Sequence, residues 1–165
     1  MRWLWIVIAV LVGIPLLLAL VGSFLPRDHV AQMTRELSAP PERVWALVSD
    51  VEGTPKWRKD VTAVTVEPGP GPMRFTENSK HGEIPFELVT QEPPRRQVVR
   101  IVDEKQPFGG TWTWELEAID NGTRLTITEE GFIKNPVFRV LSRLFFPPTA
   151  TMEKYLGDLS RALGG

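Results

Sequence analysis

The 165-residue chain contains no cysteine, which excludes a disulfide framework, thiol nucleophiles and thiolate metal centres. It has only two histidines, His29 and His81, and neither stands in a ligand spacing such as H-x-x-x-H. No metal site is expected, and both are read as solvated residues. An excess of one charge is also missing: 19 basic and 20 acidic residues leave a net charge of -1. Without a basic field to gather phosphates, nucleic acid is not an expected partner. No G-x-S-x-G elbow, phosphate-cradling glycine loop or G-x-G-x-x-G after a strand is present. Hydrolase, nucleotidase and dehydrogenase chemistries therefore lack sequence support, and no cofactor is called for.

What the chain does have is one long stretch without charge. Between Arg2 and Arg27 no residue is ionisable, and Trp3 to Gly22 reads WLWIVIAVLVGIPLLLALVG. As a helix this rises roughly 30 Å, the thickness of a bilayer core. Trp3 and Trp5 sit where an interfacial aromatic belt would, and Gly13 and Pro15 would loosen the helix. A cleaved secretory signal is the rival, but its apolar region is usually about 7–15 residues. Residues 1–26 are accordingly read as a retained single-span anchor. Arg2 on one side faces Arg27 and Arg35 on the other, so the positive-inside comparison assigns no side of the membrane.

The remainder, residues 29–163, reads as one domain, since this length supports one core. Asp28 to Ser38 alternates as a strand, and Pro40-Pro41-Glu42 then opens a helix carrying Val44, Trp45, Leu47 and Val48 at helical spacing. Gly53-Thr54-Pro55 breaks it before a second short helical piece around Lys56 to Lys59. From Val61 onward, short β-prone runs alternate with turn clusters at Pro68-Gly69-Pro70-Gly71, His81-Gly82, Pro93-Pro94, Phe108-Gly109-Gly110 and Asp120-Asn121-Gly122, the pattern of an antiparallel meander of about six strands. Asn121-Gly122 predicts a two-residue type I′ hairpin, and this also accounts for the glycosylation-like Asn121-Gly122-Thr123. Asn135-Pro136 starts a C-terminal helix that Pro147-Pro148 must end or kink, after which Met152, Tyr155, Leu156, Leu159 and Leu163 form one stripe.

This order predicts an α+β fold, with helices on one face of a curled antiparallel sheet. Three segments, Ser38-Ala39-Pro40-Pro41-Glu42-Arg43-Val44-Trp45-Ala46-Leu47-Val48-Ser49-Asp50, Pro55-x-Trp57-Arg58-Lys59-Asp60-Val61 and Gly122-Thr123-Arg124-Leu125-Thr126-Ile127-Thr128-Glu129-Glu130-Gly131, resemble the START-like (SRPBCC) superfamily of polyketide cyclase/dehydrase-like and birch-pollen-allergen-like proteins. The resemblance implies a helix-grip fold, in which the curved sheet wraps around a long C-terminal helix, here broken by proline. It also implies an apolar cavity for lipids, sterols, polyketides or other hydrophobic molecules.

The candidate ligand-binding residues are Trp57, Phe75, Phe86, Phe108, Trp112 and Trp114, joined by Phe138 and Leu141 of the last helical segment. Such rings also fill ordinary cores, as the shared faces of Trp112, Trp114 and Leu116 and of Ile84, Phe86 and Leu88 allow. Glu129 shares the parity of Leu125 and Ile127 and is a weak acid/base candidate, as is Tyr155. The favoured reading is that the strand ends near Gly131 and leaves Glu129 and Glu130 in water. Arg139 and Arg143 beside apolar neighbours allow the last helical segment to lie on anionic lipid, although a core-facing helix with a solvated basic edge is preferred. Three functions remain: a membrane-anchored domain binding a hydrophobic small molecule or lipid, a cyclase or dehydratase that moves protons in such a pocket, and a non-catalytic docking module for another membrane protein.

Overall fold

The computed structural model describes residues 2–80, 82–103, 105–145 and 148–165. An apolar helix, α1 (Arg2–Ser23), leads into β1 (Asp28–Leu37), α2 (Pro41–Ser49) and a single 3-10 turn at Thr54–Lys56. Six further strands follow: β2 (Val61–Glu67), β3 (Arg74–Ser79), β4 (Gly82–Glu92), β5 (Arg96–Ile101), β6 (Phe108–Ile119) and β7 (Gly122–Ile133). Two helices, α3 (Pro136–Phe145) and α4 (Pro148–Ala162), close the chain. The second short helical piece thus lies a little earlier than the sequence suggests. Of the Pro147-Pro148 break, Pro147 lies outside the described residues, and Pro148 opens α4.

All seven strands form one antiparallel sheet in the order β1-β7-β6-β5-β4-β3-β2. The meander β2 to β7 follows from short hairpin connections, and β1 joins across β7 to complete the grip around α4. The β6–β7 hairpin turns one residue earlier than predicted, because Ile119 pairs with Gly122 and leaves Asp120-Asn121 as the loop. Neither loop residue has positive φ, so the turn is not type I′. Gly122 instead carries φ +143°, and a Cβ there would collide with the Leu37 carbonyl. Both the backbone angle and the close approach demand glycine. The Phe108-Gly109-Gly110 cluster is not a turn but the start of β6, where the Phe132 ring covers the face of Gly109.

The interior has two unlike halves. Antiparallel register brings the starts of β1, β2, β4 and β6 to the same end of the sheet as the finishes of β3, β5 and β7. At the opposite end, Leu37, Ala39, Val44, Leu116, Leu125, Leu156 and Leu159 pack into a solid core, with Val44, Leu125, Leu156 and Leu159 fully buried. The Thr123 hydroxyl donates to the Ala39 carbonyl (2.6 Å), and the Gln97 amide donates to Val48 (3.2 Å), so the polar groups entering this half are satisfied. The end nearest α1 is hollow.

Candidate functional site

The hollow half encloses a cavity of about 740 Å³, bounded by the sheet, the N-terminal part of α4 and α3. This lies within the usual range of small-molecule sites, roughly 300–1,000 Å³. Alternation along the strands turns Phe75, Phe86, Val99, Trp112 and Trp114 toward it. Phe75 stacks on Phe86 with centroids 5.4 Å apart, and Trp112 and Trp114 lie 5.7 Å apart, so the wall is stiff and aromatic.

Of the residues singled out from sequence, Phe75, Phe86, Phe108, Trp112, Trp114 and Phe138 line this cavity, and so do Glu129 and Tyr155. Trp57 and Leu141 do not. Trp57 packs edge-on behind Tyr155 (5.2 Å, 81°) and supports the wall from outside, and Leu141 is half-buried on α3. Two expectations about polar residues are corrected. β7 does not end near Gly131 but continues to Ile133, so Glu129 keeps its inward parity and is partly shielded. His29 is not left in open water: in β1 its side chain is 24% exposed, and its Nε2 sits 3.2 Å from the Glu129 carboxylate. His81 lies outside the described residues.

The opposite wall carries a charged cluster that sequence reasoning missed. Arg58 follows the 3-10 turn and donates from Nη1 to both Glu77 oxygens (2.9 and 3.0 Å) and from Nη2 to Asp60 (3.0 Å). Its guanidinium lies 5.4 Å from the Tyr155 ring centroid. The segment is pinned from α4, where buried Asp158 accepts from the Lys59 amide (3.3 Å) and pairs with Arg161. Lys154 of α4 also reaches Asp60 at 3.5 Å.

Burial alone would lower the pKa of Arg58, but the Glu77 charge and the Asp60 hydrogen bond outweigh it and hold the guanidinium charged. Burial is the largest influence on Glu77 and raises its pKa despite Arg58, with the Asp60 charge adding to the rise. For Asp60 burial is outweighed by the Arg58 hydrogen bond and charge, so its pKa falls below the usual carboxylate value. Burial pushes the Tyr155 hydroxyl well above its ordinary pKa, against the opposing charge of Arg58. Burial thus holds Tyr155 as a neutral phenol. One signal for the cluster was readable: Glu77 shares the inward parity of Phe75 in β3.

No cluster of three or more potential metal ligands occurs among the described residues. The site is therefore an apolar chamber with the Arg58–Glu77–Asp60 ion-pair cluster on one wall and the His29–Glu129 contact on another. A seven-stranded antiparallel sheet gripping a C-terminal helix around such a chamber defines the helix-grip class of proteins. Within that class, the chain belongs to the polyketide cyclase/dehydrase and lipid transport family, whose sequence profile matches residues 28–163.

No protein with a curated description matches the chain. Solved structures share the fold. The two-domain aromatase/cyclase StfQ of the steffimycin biosynthetic pathway superimposes with a TM-score of 0.68 at 13% identity, over 81% of this chain and 50% of that one. The chain thus spans half the length of that two-domain protein. A Thermus thermophilus protein gives 0.67 at 22% identity, over 82% and 97% of the two chains. The Zhui aromatase/cyclase of a Streptomyces species gives 0.66 at 13% identity, over 83% and 94%.

Proposed function

We propose that this protein is a membrane-tethered domain that takes a hydrophobic small molecule or lipid into its cavity, with α1 as the tether. The observation that carries this reading is the aromatic chamber of about 740 Å³ at the end of the sheet nearest α1. α1 supports the tether: its 22 residues have a mean hydropathy of 3.0 over an 18-residue window, and that window is not buried against the domain. The polar walls support a ligand that bears an oxygen function. The Arg58 Nε–H is a buried donor without a hydrogen-bond acceptor among the described residues, and Arg58 lines the chamber. An orphan donor costs about 1–3 kcal/mol, which a ligand carbonyl, carboxylate or hydroxyl would offset.

The test is to purify the full chain from its own membranes and extract it with organic solvent for mass spectrometry, beside an Ile84→Trp variant whose new ring occupies the chamber. An apolar compound present with the wild type and depleted from the variant is the expected result. Equal extracts from both would remove the ligand reading.

A second reading, turnover of a polyketide-like chain, is favoured by Glu77, a carboxyl of raised pKa on the chamber wall beside a fixed cation. Glu77 is a better proton carrier for such chemistry than Tyr155. Loss of turnover in Glu77→Gln with ligand uptake retained is the outcome that reading requires.

A further inference from the structure

We infer that α3 lies in the surface of the bilayer that α1 crosses, so that the chamber opens onto lipid and loads from the leaflet. The inference rests on α1 being a membrane span. It begins with how α3 is placed. Among the described side chains of α1, only Leu18, Ala19 and Gly22 are shielded, and the helix packed against α1 is α3. Gly22 is required at that contact, since a Cβ there would collide with the Pro136 carbonyl. Arg139 of α3 locks the junction: its guanidinium donates to the carbonyls of Ile133 (2.8 Å), Lys134 (2.9 Å), Gly22 (3.3 Å) and Leu25 (3.4 Å). The domain therefore does not swing freely on a linker.

The depth of α3 follows. Leu18 precedes Ser23, the last residue of α1, by about 8 Å along the helix axis. A helix held beside that stretch sits within the interfacial zone, where amphipathic helices bury their apolar face about 5–10 Å. The surface of α3 fits that zone and does not fit water. Ser142 is its buried residue, while Leu144 and Phe145 are 67% and 66% exposed, and Phe24 beside the end of α1 is 82% exposed. Exposed Arg27 and Arg143 flank the apolar patch and suit anionic headgroups. Phe138, Arg139, Ser142, Arg143 and Phe145 also line the chamber, so α3 stands between the chamber and the surface that carries Leu144.

The absence of cysteine makes the test direct. Leu144→Cys and Asn121→Cys, each labelled with an environment-sensitive fluorophore, are reconstituted as full chains into phosphatidylcholine vesicles containing phosphatidylglycerol brominated in the upper acyl chain. Asn121 lies in the turn beyond the far end of β1, about 30 Å from the α1 junction by strand rise, and serves as the control in water. The Leu144 label should be quenched at least about threefold more strongly, as interfacial burial requires. Equal quenching overturns the inference. Wild-type chain in vesicles bearing a photoreactive acyl chain gives a second reading free of substitution: peptides covering 136–145 should carry lipid adducts that peptides around Asn121 lack, and equal labelling overturns the inference as well. A chain with lipid-buried α3 but no extractable ligand would remove the binding proposal alone, and a ligand-bearing chain with α3 in water would remove this inference alone.

Discussion

Replacing Arg58 by methionine keeps the apolar stem and removes the guanidinium, leaving Glu77 and Asp60 without their shared partner. The Arg58 and Glu77 side chains are only 14% and 16% exposed. Breaking such a pair by removing one partner costs about 3–5 kcal/mol, because a carboxylate is left in a poor solvent. The lower end of that range is expected here, since Asp60 keeps Lys154 at 3.5 Å. The penalty should depend on pH in a defined direction. Burial already raises the Glu77 pKa against the opposing charge of Arg58, so losing Arg58 raises it further. The folded variant then holds a proton that the unfolded chain has released, and its stability falls as pH rises above the ordinary value of 4.5. Asp60 acts in the same sense at lower pH: the stability that Arg58 lends it by lowering its pKa is present above 3.8 in the wild type, so that share of the loss is already complete near about pH 5. Urea unfolding of the full chain in mild detergent, followed by tryptophan fluorescence, should show a partial penalty near about pH 5, where the Asp60 share is lost, and a larger one near about pH 8, where the Glu77 share is added. Adding Glu77→Gln should recover part of the loss and flatten the pH dependence. A penalty equal at both pH values, or enlarged by Glu77→Gln, would refute the assigned coupling.

Leu156→Ala, in the solid half, should cost about 2–5 kcal/mol, whereas Ile84→Trp, which grows into existing space, should cost under about 1.5 kcal/mol in the same unfolding assay. Gly122→Ala should destabilise by about 2 kcal/mol or more, because φ +143° and the Leu37 carbonyl both oppose a Cβ. Gly22→Leu should separate α1 from α3 at Pro136 and raise proteolysis between Ser23 and Asp28 several-fold, while the domain's unfolding midpoint stays within the shift of about 0.5 kcal/mol expected for a change outside its core. An unchanged cleavage rate would argue against the locked junction.

The fold was legible because period and punctuation agree. The alternation of Trp112, Trp114 and Leu116 and of Leu125 and Ile127 placed β6 and β7 side by side, and Pro148 opens α4 as a helix separate from α3. The hairpin register slipped by one residue because Gly122 is needed for its positive φ at the start of the returning strand, not at the second loop position. Parity turned Glu129 inward, but the rarity of buried glutamate argued for water; His29, read as a solvated juxtamembrane residue, supplies the partner that makes the inward position tolerable. Arg58 could not be found from local pattern, since its partner Glu77 is brought opposite only by the β2–β3 hairpin across the loop at 68–73. Trp57 resembled a chamber residue by type, yet it packs edge-on behind Tyr155. Composition identifies aromatic material, and only the tertiary arrangement decides which side of it faces empty space.

The central claim is that the hollow half of the domain accepts an apolar ligand. Titrating the full chain in nanodiscs with a fluorescent fatty acyl probe, and reading energy transfer from Trp112 and Trp114 on the chamber wall, tests it most directly. The account predicts saturable transfer at one probe per chain, reduced at least about tenfold in affinity by Ile84→Trp, the equivalent of about 1.4 kcal/mol. Transfer that never saturates, or that is unchanged when the chamber is filled, would contradict it.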